Sequence, residues 1–341
     1  MDKVSKTSLE KAHIDWIDVA KGLGLVLVIW GHLLYSGSWD IVNRAIYSFH
    51  MPMYFIISGF VAHPRKTTLK KRICSQAYRL LLPSIVFIAL TIPLHLFTTK
   101  DKNLSLFQHL KLIFYVDNEI AYNDPVWFFI VLFTVTIIVE LCNILSLSFF
   151  KRGLIFAFCL CTAFILYHLN IPLIFGIRQA ILAMVFYLFG NFLKYFTSSL
   201  KKHWLLLGCI VSVPIWVISG VIFNSKVSMY AFTLGNYWLF VISGITGSIV
   251  WLGFSYILRK AKIAKIWSKN TIFIVGSHYV GVTICSFIAN KIGIANTVWF
   301  DVGSFVITIF ALLLYIPICN FINQYLPFMN GKQYAKNSTI K

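Results

Sequence analysis

The chain has 341 residues, of which 59% are hydrophobic and only 12% are charged. This composition excludes a soluble globular domain and indicates a membrane protein with several spans. The formal net charge of +19 is compatible with binding to nucleic acid, but the Lys and Arg residues form short clusters between apolar stretches, so we predict no nucleic-acid partner.

Ten apolar runs are long enough to cross about 30 Å of hydrocarbon as helices. We therefore predict an all-α fold, a polytopic transmembrane helix bundle of about ten helices in the lipid bilayer. A single transmembrane domain is expected over residues 1–330, followed by a short cytoplasmic tail over 331–341. The runs lie at 17–37, 41–61, 74–98, 125–147, 153–169, 173–195, 203–223, 235–257, 270–289 and 298–320.

The distribution of basic residues between alternate loops predicts the orientation of the chain. Of the 30 Lys and Arg residues, 21 fall on one side of the predicted helices and five on the other. Because basic residues collect on the cytoplasmic side of membrane proteins, we expect a multi-pass protein of the cell membrane with both termini in the cytoplasm. The longest outward segment covers about 99–124, and we expect it to pack over the outer mouth of the helices.

The first predicted helix carries two ionisable residues, Lys21 and His32, inside an apolar run. Ionisable groups in a membrane span are costly and usually mark a pathway or a catalytic centre. Their spacing places both on one face of the helix, about 16 Å apart along its axis. Lys21 is thus expected near the cytoplasmic mouth of a path and His32 in its outer half, although a Lys21 that merely snorkels to the headgroups fits the same pattern.

The second predicted helix carries His50, Pro52 and Ser58 in the stretch YSFHMPMYFIISGF. Because the connection to the first helix is short, His50 is expected at nearly the depth of His32. Pro52 removes a backbone donor, so we predict a kink whose carbonyl groups need protein, water or ligand as partners. His50 either takes part in the site or is a structural histidine bonded to a neighbouring carbonyl group.

A basic segment leads into the third predicted helix. It contains Lys66, Lys70, Lys71 and Arg72, and Arg79 follows one to two turns inside the apolar run. Attraction to anionic lipid headgroups is enough to explain the basic residues of the loop. An arginine inside the span favours recognition of a phosphate group, which a guanidinium binds in bidentate fashion.

Two further features concern histidine and cysteine. His278 lies about two turns into the ninth predicted helix, in the stretch IVGSHYV. The seven cysteines form no C-x-x-C pair and show no metal-ligand spacing, so we expect no bound metal.

These motifs resemble the integral membrane acyltransferases of the acyltransferase type 3 family, in particular its fucose 4-O-acetylase-like branch. The stretch IDWIDVAKGLGLVLVIWGH is similar to that family's opening helix, whose best-known signature is a basic residue, ten intervening positions and a histidine. Lys21 and His32 occupy those two places. The resemblance runs from about residue 14 to residue 285 and continues through YSFHMPMYFIISGF, the KKR and YRLLLP segments, PVWFFIVLF with Trp127, and GSHYV with His278.

The resemblance implies a ten-helix core that moves an acyl group, usually acetyl, from cytoplasmic acyl-CoA to an extracytoplasmic acceptor hydroxyl group, often on a glycan. On this hypothesis acetyl-CoA is the co-substrate, and the neutral imidazole of His32 takes the proton from the acceptor hydroxyl group. His50 and Ser58 are the candidates for orienting His32 or polarising the thioester carbonyl group. The CoA phosphates are expected to be attracted by Lys21, Lys66, Lys70, Lys71, Arg72 and Arg79.

A transporter or flippase is the main alternative, because buried charges and a water-lined path suit transport equally well. Inverted sequence halves would favour this alternative. The polar residues instead crowd into the first three predicted helices.

Overall fold

The computed structural model describes residues 2–34, 40–62, 67–98, 123–144, 148–171, 173–199, 202–295 and 297–334. These residues are mainly helical, and no β-strand occurs among them. The α-helices are α1 (Asp2–Leu33), α2 (Asp40–Tyr47), α3 (His50–Phe60), α4 (Leu69–Gln76), α5 (Leu82–Thr98), α6 (Trp127–Ile144), α7 (Phe149–Leu169), α8 (Ile177–Ser199), α9 (Lys202–Trp216), α10 (Tyr237–Ile257), α11 (Lys262–Ser268), α12 (Thr271–Lys291) and α13 (Val298–Tyr325).

Shorter helical turns extend or join these helices. Two π-helical segments follow α4 and α9, at Ala77–Leu81 and Val217–Ile222. Turns of 3₁₀-helix lie at Asp124–Val126, Ile174–Gly176 and Pro327–Asn330.

Eight helices in the described part of the chain are long and apolar enough to cross a membrane. An additional apolar helix, Leu206–Ile222, is shorter. The prediction of an all-α polytopic helix bundle is therefore confirmed. The eight candidate spans are Asp15–Leu33, Leu69–Pro93, Asp124–Asn143, Phe149–Leu169, Ile174–Thr197, Tyr237–Ile257, Thr271–Lys291 and Val298–Tyr325.

The second apolar run was predicted to form one kinked helix, but it forms two helices. It is divided into α2, which ends at Tyr47, and α3, which begins at His50. Pro52 therefore lies in the first turn of α3, where its missing N–H group leaves no helical hydrogen bond unmade. The predicted kink at Pro52 was wrong in position, because the chain breaks before the proline, at Ser48 and Phe49.

Helix α1 occupies the centre of the bundle. It is the most buried of the candidate spans, and Val19, Ala20 and Leu25 have no exposed surface. It contacts α3, α10, α11, α12 and α13. The outer half of α1, which carries His32, is therefore enclosed by other helices.

Helices α3 and α8 approach each other closely through two glycines. A Cβ atom on Gly59 would overlap the carbonyl oxygen of Tyr187, and one on Gly190 would overlap that of Ile56. Small residues allow such close backbone approach in membrane helices. The contact fixes α3, which carries His50 at its outer end and Ser58 at its inner end, against the bundle.

Candidate active site

His32 lies near the outer end of α1 and lines a cavity of about 200 Å³. We call this space the outer cavity, after the orientation predicted from the basic loops. Polar and aromatic side chains from several helices share its wall with His32, namely Tyr47, His50, Asp124, Trp127 and Tyr230. The cavity therefore has a mixed apolar and polar lining, with an imidazole group at its wall.

Aromatic rings surround the imidazole of His32 on two sides. The His278 and Tyr279 rings of α12 lie 5.3 and 6.1 Å away between centroids. The Tyr47 ring of α2 lies 6.4 Å from His32 and 4.9 Å from His50. The predicted candidates His32, His50 and His278 are thus brought together from three helices.

The hydrogen bonds of His50 and His278 define which ring nitrogen carries the proton. Nδ1 of His50 lies 2.9 Å from the carbonyl oxygen of Ile46, and Nδ1 of His278 lies 2.9 Å from that of Val275. Because a carbonyl oxygen can only accept, each Nδ1 is the protonated nitrogen, and each Nε2 carries a lone pair when the ring is neutral.

Nε2 of His278 is buried and has no hydrogen-bond partner among the described residues. A buried acceptor without a donor is costly. At the 5.3 Å separation of their centroids, the rings of His32 and His278 can bring one nitrogen each to hydrogen-bonding distance. The arrangement therefore suits an N–H group of His32 donating to Nε2 of His278.

Two interhelical contacts fix the outer end of α6 beside α12. The amide nitrogen of Asn123 donates to the carbonyl oxygen of Gly276 over 2.8 Å. The hydroxyl group of Tyr279 donates to a carboxylate oxygen of Asp124 over 3.3 Å. These bonds hold Asp124 at the wall of the outer cavity and Tyr279 beside His32.

The segment between the second π-helix and α10 lies over the same cavity. Ser228 and Thr233 exchange two backbone hydrogen bonds of 2.7 and 3.0 Å, which close a tight turn. Within the turn, the carbonyl oxygen of Tyr230 accepts a hydrogen bond of 2.9 Å from the side chain of Gln179. The ring of Tyr230 lies 6.3 Å from that of Trp127, so these two rings form an aromatic part of the wall.

A second, larger cavity of about 490 Å³ lies toward the other end of α1, and we call it the inner cavity. Four of its lining residues are basic: Lys21, Arg79, Lys269 and Lys332. The ammonium group of Lys21 forms an ion pair of 2.8 Å with Asp18. Lys21 and His32 therefore share α1 but line different cavities.

Three residues line both cavities: Tyr54, Phe128 and Thr271. The hydroxyl group of Tyr54 donates to the carbonyl oxygen of Lys21 over 2.8 Å. Its ring lies 5.7 Å from that of Phe128. Tyr54, Phe128 and Thr271 are thus the junction between the basic inner cavity and the histidine-lined outer cavity.

The remaining predicted binding residues take different positions. Ser58 and Arg79 line the inner cavity, and Trp127 lines the outer one. Lys70 and Lys71 are exposed on α4 and line neither cavity. Arg72 forms an ion pair with Glu140, which lines the inner cavity.

Some predicted features lie outside the described residues. These are Lys66 and nearly all of the outward segment 99–124, of which the structure describes only its last two residues. In the part of the chain that is described, no group of three or more His, Cys, Asp or Glu side chains is arranged to hold a metal ion.

The structure adds residues that the sequence did not single out. Tyr47 precedes His50 by three positions, and Tyr279 follows His278 directly, so proximity to a candidate histidine was the available signal. Lys269 and Lys332 had no such signal, because they lie on separate segments that meet only in the fold.

Comparisons with known proteins identify the family of the chain. A family model described as an acyltransferase domain matches residues 14–319. The nodulation protein NolL of Sinorhizobium fredii (strain NBRC 101917 / NGR234) is 32% identical over 83 residues, which are 21% of this chain. That match spans 23% of the length of NolL.

No solved structure matches the chain. The family model, however, covers most of its length, from the start of the first candidate span into α13. The chain therefore belongs to the acyltransferase type 3 family and is a multi-pass membrane acyltransferase.

Proposed function

We propose that the protein transfers an acyl group, by default acetyl, from cytoplasmic acyl-CoA to a hydroxyl group of an extracytoplasmic or lipid-linked cell-envelope glycan. The cell membrane is the expected location. The observation that carries the proposal is the pair of adjoining cavities, one with four basic residues and the other with His32. A phosphate-bearing thioester and a neutral alcohol need these two environments on opposite sides of one reaction centre.

The proposed reaction is a direct acyl transfer. The acceptor O–H group loses its proton to a ring nitrogen of His32 while its oxygen attacks the thioester carbonyl carbon. The C–S bond breaks, an ester forms, and the CoA sulfur takes the proton from the imidazolium of His32. Each molecule of acyl-CoA and alcohol thus gives one ester and one free thiol.

His278 would position His32 for this step. With Nδ1 of His278 bonded to backbone carbonyl groups, its Nε2 is available to accept from His32. A His32 that donates from one nitrogen keeps the lone pair of the other for the acceptor hydroxyl group. His32 becomes positively charged when it accepts the proton. The hydrogen bond from His32 to Nε2 of His278 would stabilise this charge.

The lining of the outer cavity suits a sugar-like acceptor. It combines aromatic rings, Trp127 and Tyr230, with hydrogen-bonding groups on Tyr47 and Asp124. A sugar presents both apolar faces and hydroxyl groups, and an aromatic surface with a few placed polar groups suits both.

The membership in an acyltransferase family favours acyl transfer over the alternative of a transporter. A transporter would move a substrate without breaking a thioester. Release of free CoA from acetyl-CoA therefore separates the two functions.

The experiment compares membranes with and without the intact protein, each supplied with acetyl-CoA and envelope polysaccharide from a strain that lacks the gene. We expect acceptor-dependent release of free thiol and a matching increase in polysaccharide O-acetyl groups. The control omits the polysaccharide. Unchanged thiol and O-acetyl levels with every envelope fraction would overturn the proposal.

A further inference from the structure

The end of the described chain folds back onto the inner cavity. After α13, the 3₁₀-helical turn Pro327–Asn330 is followed by Gly331, which has a positive φ of 63°. A Cβ atom on Gly331 would overlap the carbonyl oxygen of Arg79. Glycine is therefore required at this position for two reasons. One is the backbone conformation, and the other is the close contact with the π-helical segment that carries Arg79.

Asn330 anchors this segment inside the protein. Its side chain is only 4% exposed, and its amide nitrogen donates to side-chain oxygens of Asn270 and Asn323 over 2.8 and 2.9 Å. Its amide oxygen accepts from the backbone N–H of Phe273 over 3.3 Å. One side chain thus joins the end of the chain to the start of α12 and to α13.

The anchored segment places Lys332 near Lys269 at the wall of the inner cavity. The ammonium group of Lys332 donates to the side-chain oxygen of Asn323 over 2.8 Å. No carboxylate among the described residues forms an ion pair with either lysine. Both lysines are exposed at the surface. Partial desolvation nevertheless lowers the pKa of Lys332, and the positive charge of Lys269 lowers it further.

Two like charges held near each other by the fold repel, and an anion between them removes that cost. Arg79 lines the same cavity, and Gly331 packs directly against its backbone. The inner cavity in turn meets the outer one at Tyr54, Phe128 and Thr271. A ligand with a phosphate group at one end and a long narrow arm fits this path.

We propose that Lys269 and Lys332, together with Arg79, bind the phosphate groups at the nucleotide end of acyl-CoA, and that the folded-back segment Pro327–Lys332 is a structural part of the donor site. This inference rests on the proposed function, which supplies acyl-CoA as the donor. The pantetheine arm then runs past the junction toward His32. Gly331 and Lys332, the first two residues of the predicted short cytoplasmic tail, thus become part of the proposed donor site.

The test measures the affinity of CoA for the purified full-length protein in a neutral detergent without anionic lipid. The variants are Lys269→Gln, Lys332→Gln and the double variant. Lys260→Gln is the matched control, because Lys260 is exposed on the same predicted side and lines neither cavity. We expect a loss of about tenfold in affinity for each cavity lysine at low salt and no change for the control.

A second ligand identifies which part of CoA the lysines contact. Adenosine 3′,5′-bisphosphate carries phosphate groups but no thiol arm, and we expect it to displace CoA from the wild-type protein about tenfold more effectively than from either variant. Asn330→Leu, which removes the anchor, should weaken CoA binding as much as the double lysine variant does.

The outcomes separate this inference from the proposed function. Wild-type affinity for CoA in the folded double variant would overturn the role of the two lysines and leave acyl-CoA as the donor. A wild-type protein that binds no CoA would overturn both. Loss of binding to anionic-lipid vesicles, with CoA affinity unchanged, would assign the lysines to lipid headgroups and so overturn the inference.

Discussion

The imidazole rings of His32 and His278 lie 5.3 Å apart between their centroids, although 245 positions separate them in the chain (278 less 32, not counting the ends). Helices α1 and α12 bring them together beside the outer cavity, which His32 lines. Nδ1 of His278 lies within hydrogen-bonding distance of two backbone carbonyl oxygens, whereas its Nε2 has no hydrogen-bond partner in the part of the chain that the structure describes. We therefore propose that His278 positions His32.

Replacing His278 therefore tests whether its acceptor nitrogen positions His32. We expect His278→Leu to lower kcat for acyl transfer by about 100-fold, a typical contribution of a positioned acid–base group, with KM for acetyl-CoA unchanged. His278→Gln keeps an acceptor oxygen and should recover part of kcat. Equal kcat values for the two variants would show that His278 acts only through packing and not through its acceptor nitrogen.

Lys21 lines the inner cavity and forms an ion pair with Asp18, so its charge lies at the proposed donor site. We expect Lys21→Arg to keep substantial activity because the charge remains. Lys21→Ala should raise KM for acetyl-CoA about tenfold, as expected for one lost charge-assisted contact. Steady-state kinetics with varied acetyl-CoA measures this effect, and an unchanged KM in Lys21→Ala would exclude a donor contact.

The junction residue Thr271 offers a way to separate donor binding from transfer. Because its side chain lines both cavities, Thr271→Trp should block the passage between them. We expect this variant to bind CoA at the inner cavity with near wild-type affinity and to lose transfer. Thr271→Ser is the conservative control, and normal transfer by a folded Thr271→Trp would refute the junction as the route.

The contact between α3 and α8 predicts a large effect on stability. A Cβ atom on Gly190 would overlap the carbonyl oxygen of Ile56, so Gly190→Ala must separate the two helices. We expect destabilisation by about 1–3 kcal/mol, the usual cost of overpacking, seen as a lower Tm in detergent. Gly208→Ala is the control, because its Cβ would meet no atom within 4 Å; equal Tm values for the two variants would contradict the packing described here.

The sequence predicts the class of fold well because apolar runs of membrane-spanning length are a strong local signal. The break between α2 and α3 was not predicted, since hydrophobicity continues through Ser48 and Phe49. The sequence also could not show that Pro52 lies in the first turn of a new helix. Hydrophobicity shows how long an apolar run is. The break between α2 and α3 depends instead on how the outer ends of the helices pack.

The candidate site was only partly predictable for a related reason. His32 and Lys21 were marked by their positions within one helix, which the helical repeat converts directly into a shared face. The neighbours that complete each cavity come from distant segments, such as Tyr279 beside His32 and Lys332 beside Lys269. Arg72 shows the converse case, because its partner Glu140 lies on a helix that no local pattern connects to it.

In the proposed reaction, the imidazole of His32 accepts the proton of the acyl acceptor. Its most direct test is the rate of acetyl transfer by His32→Ala, measured beside its CoA affinity, which reports that the protein is folded. We expect wild-type CoA affinity and a rate at least about 100-fold lower, the scale on which a general base contributes. Acetyl transfer at the wild-type rate by this variant would exclude His32 as the general base.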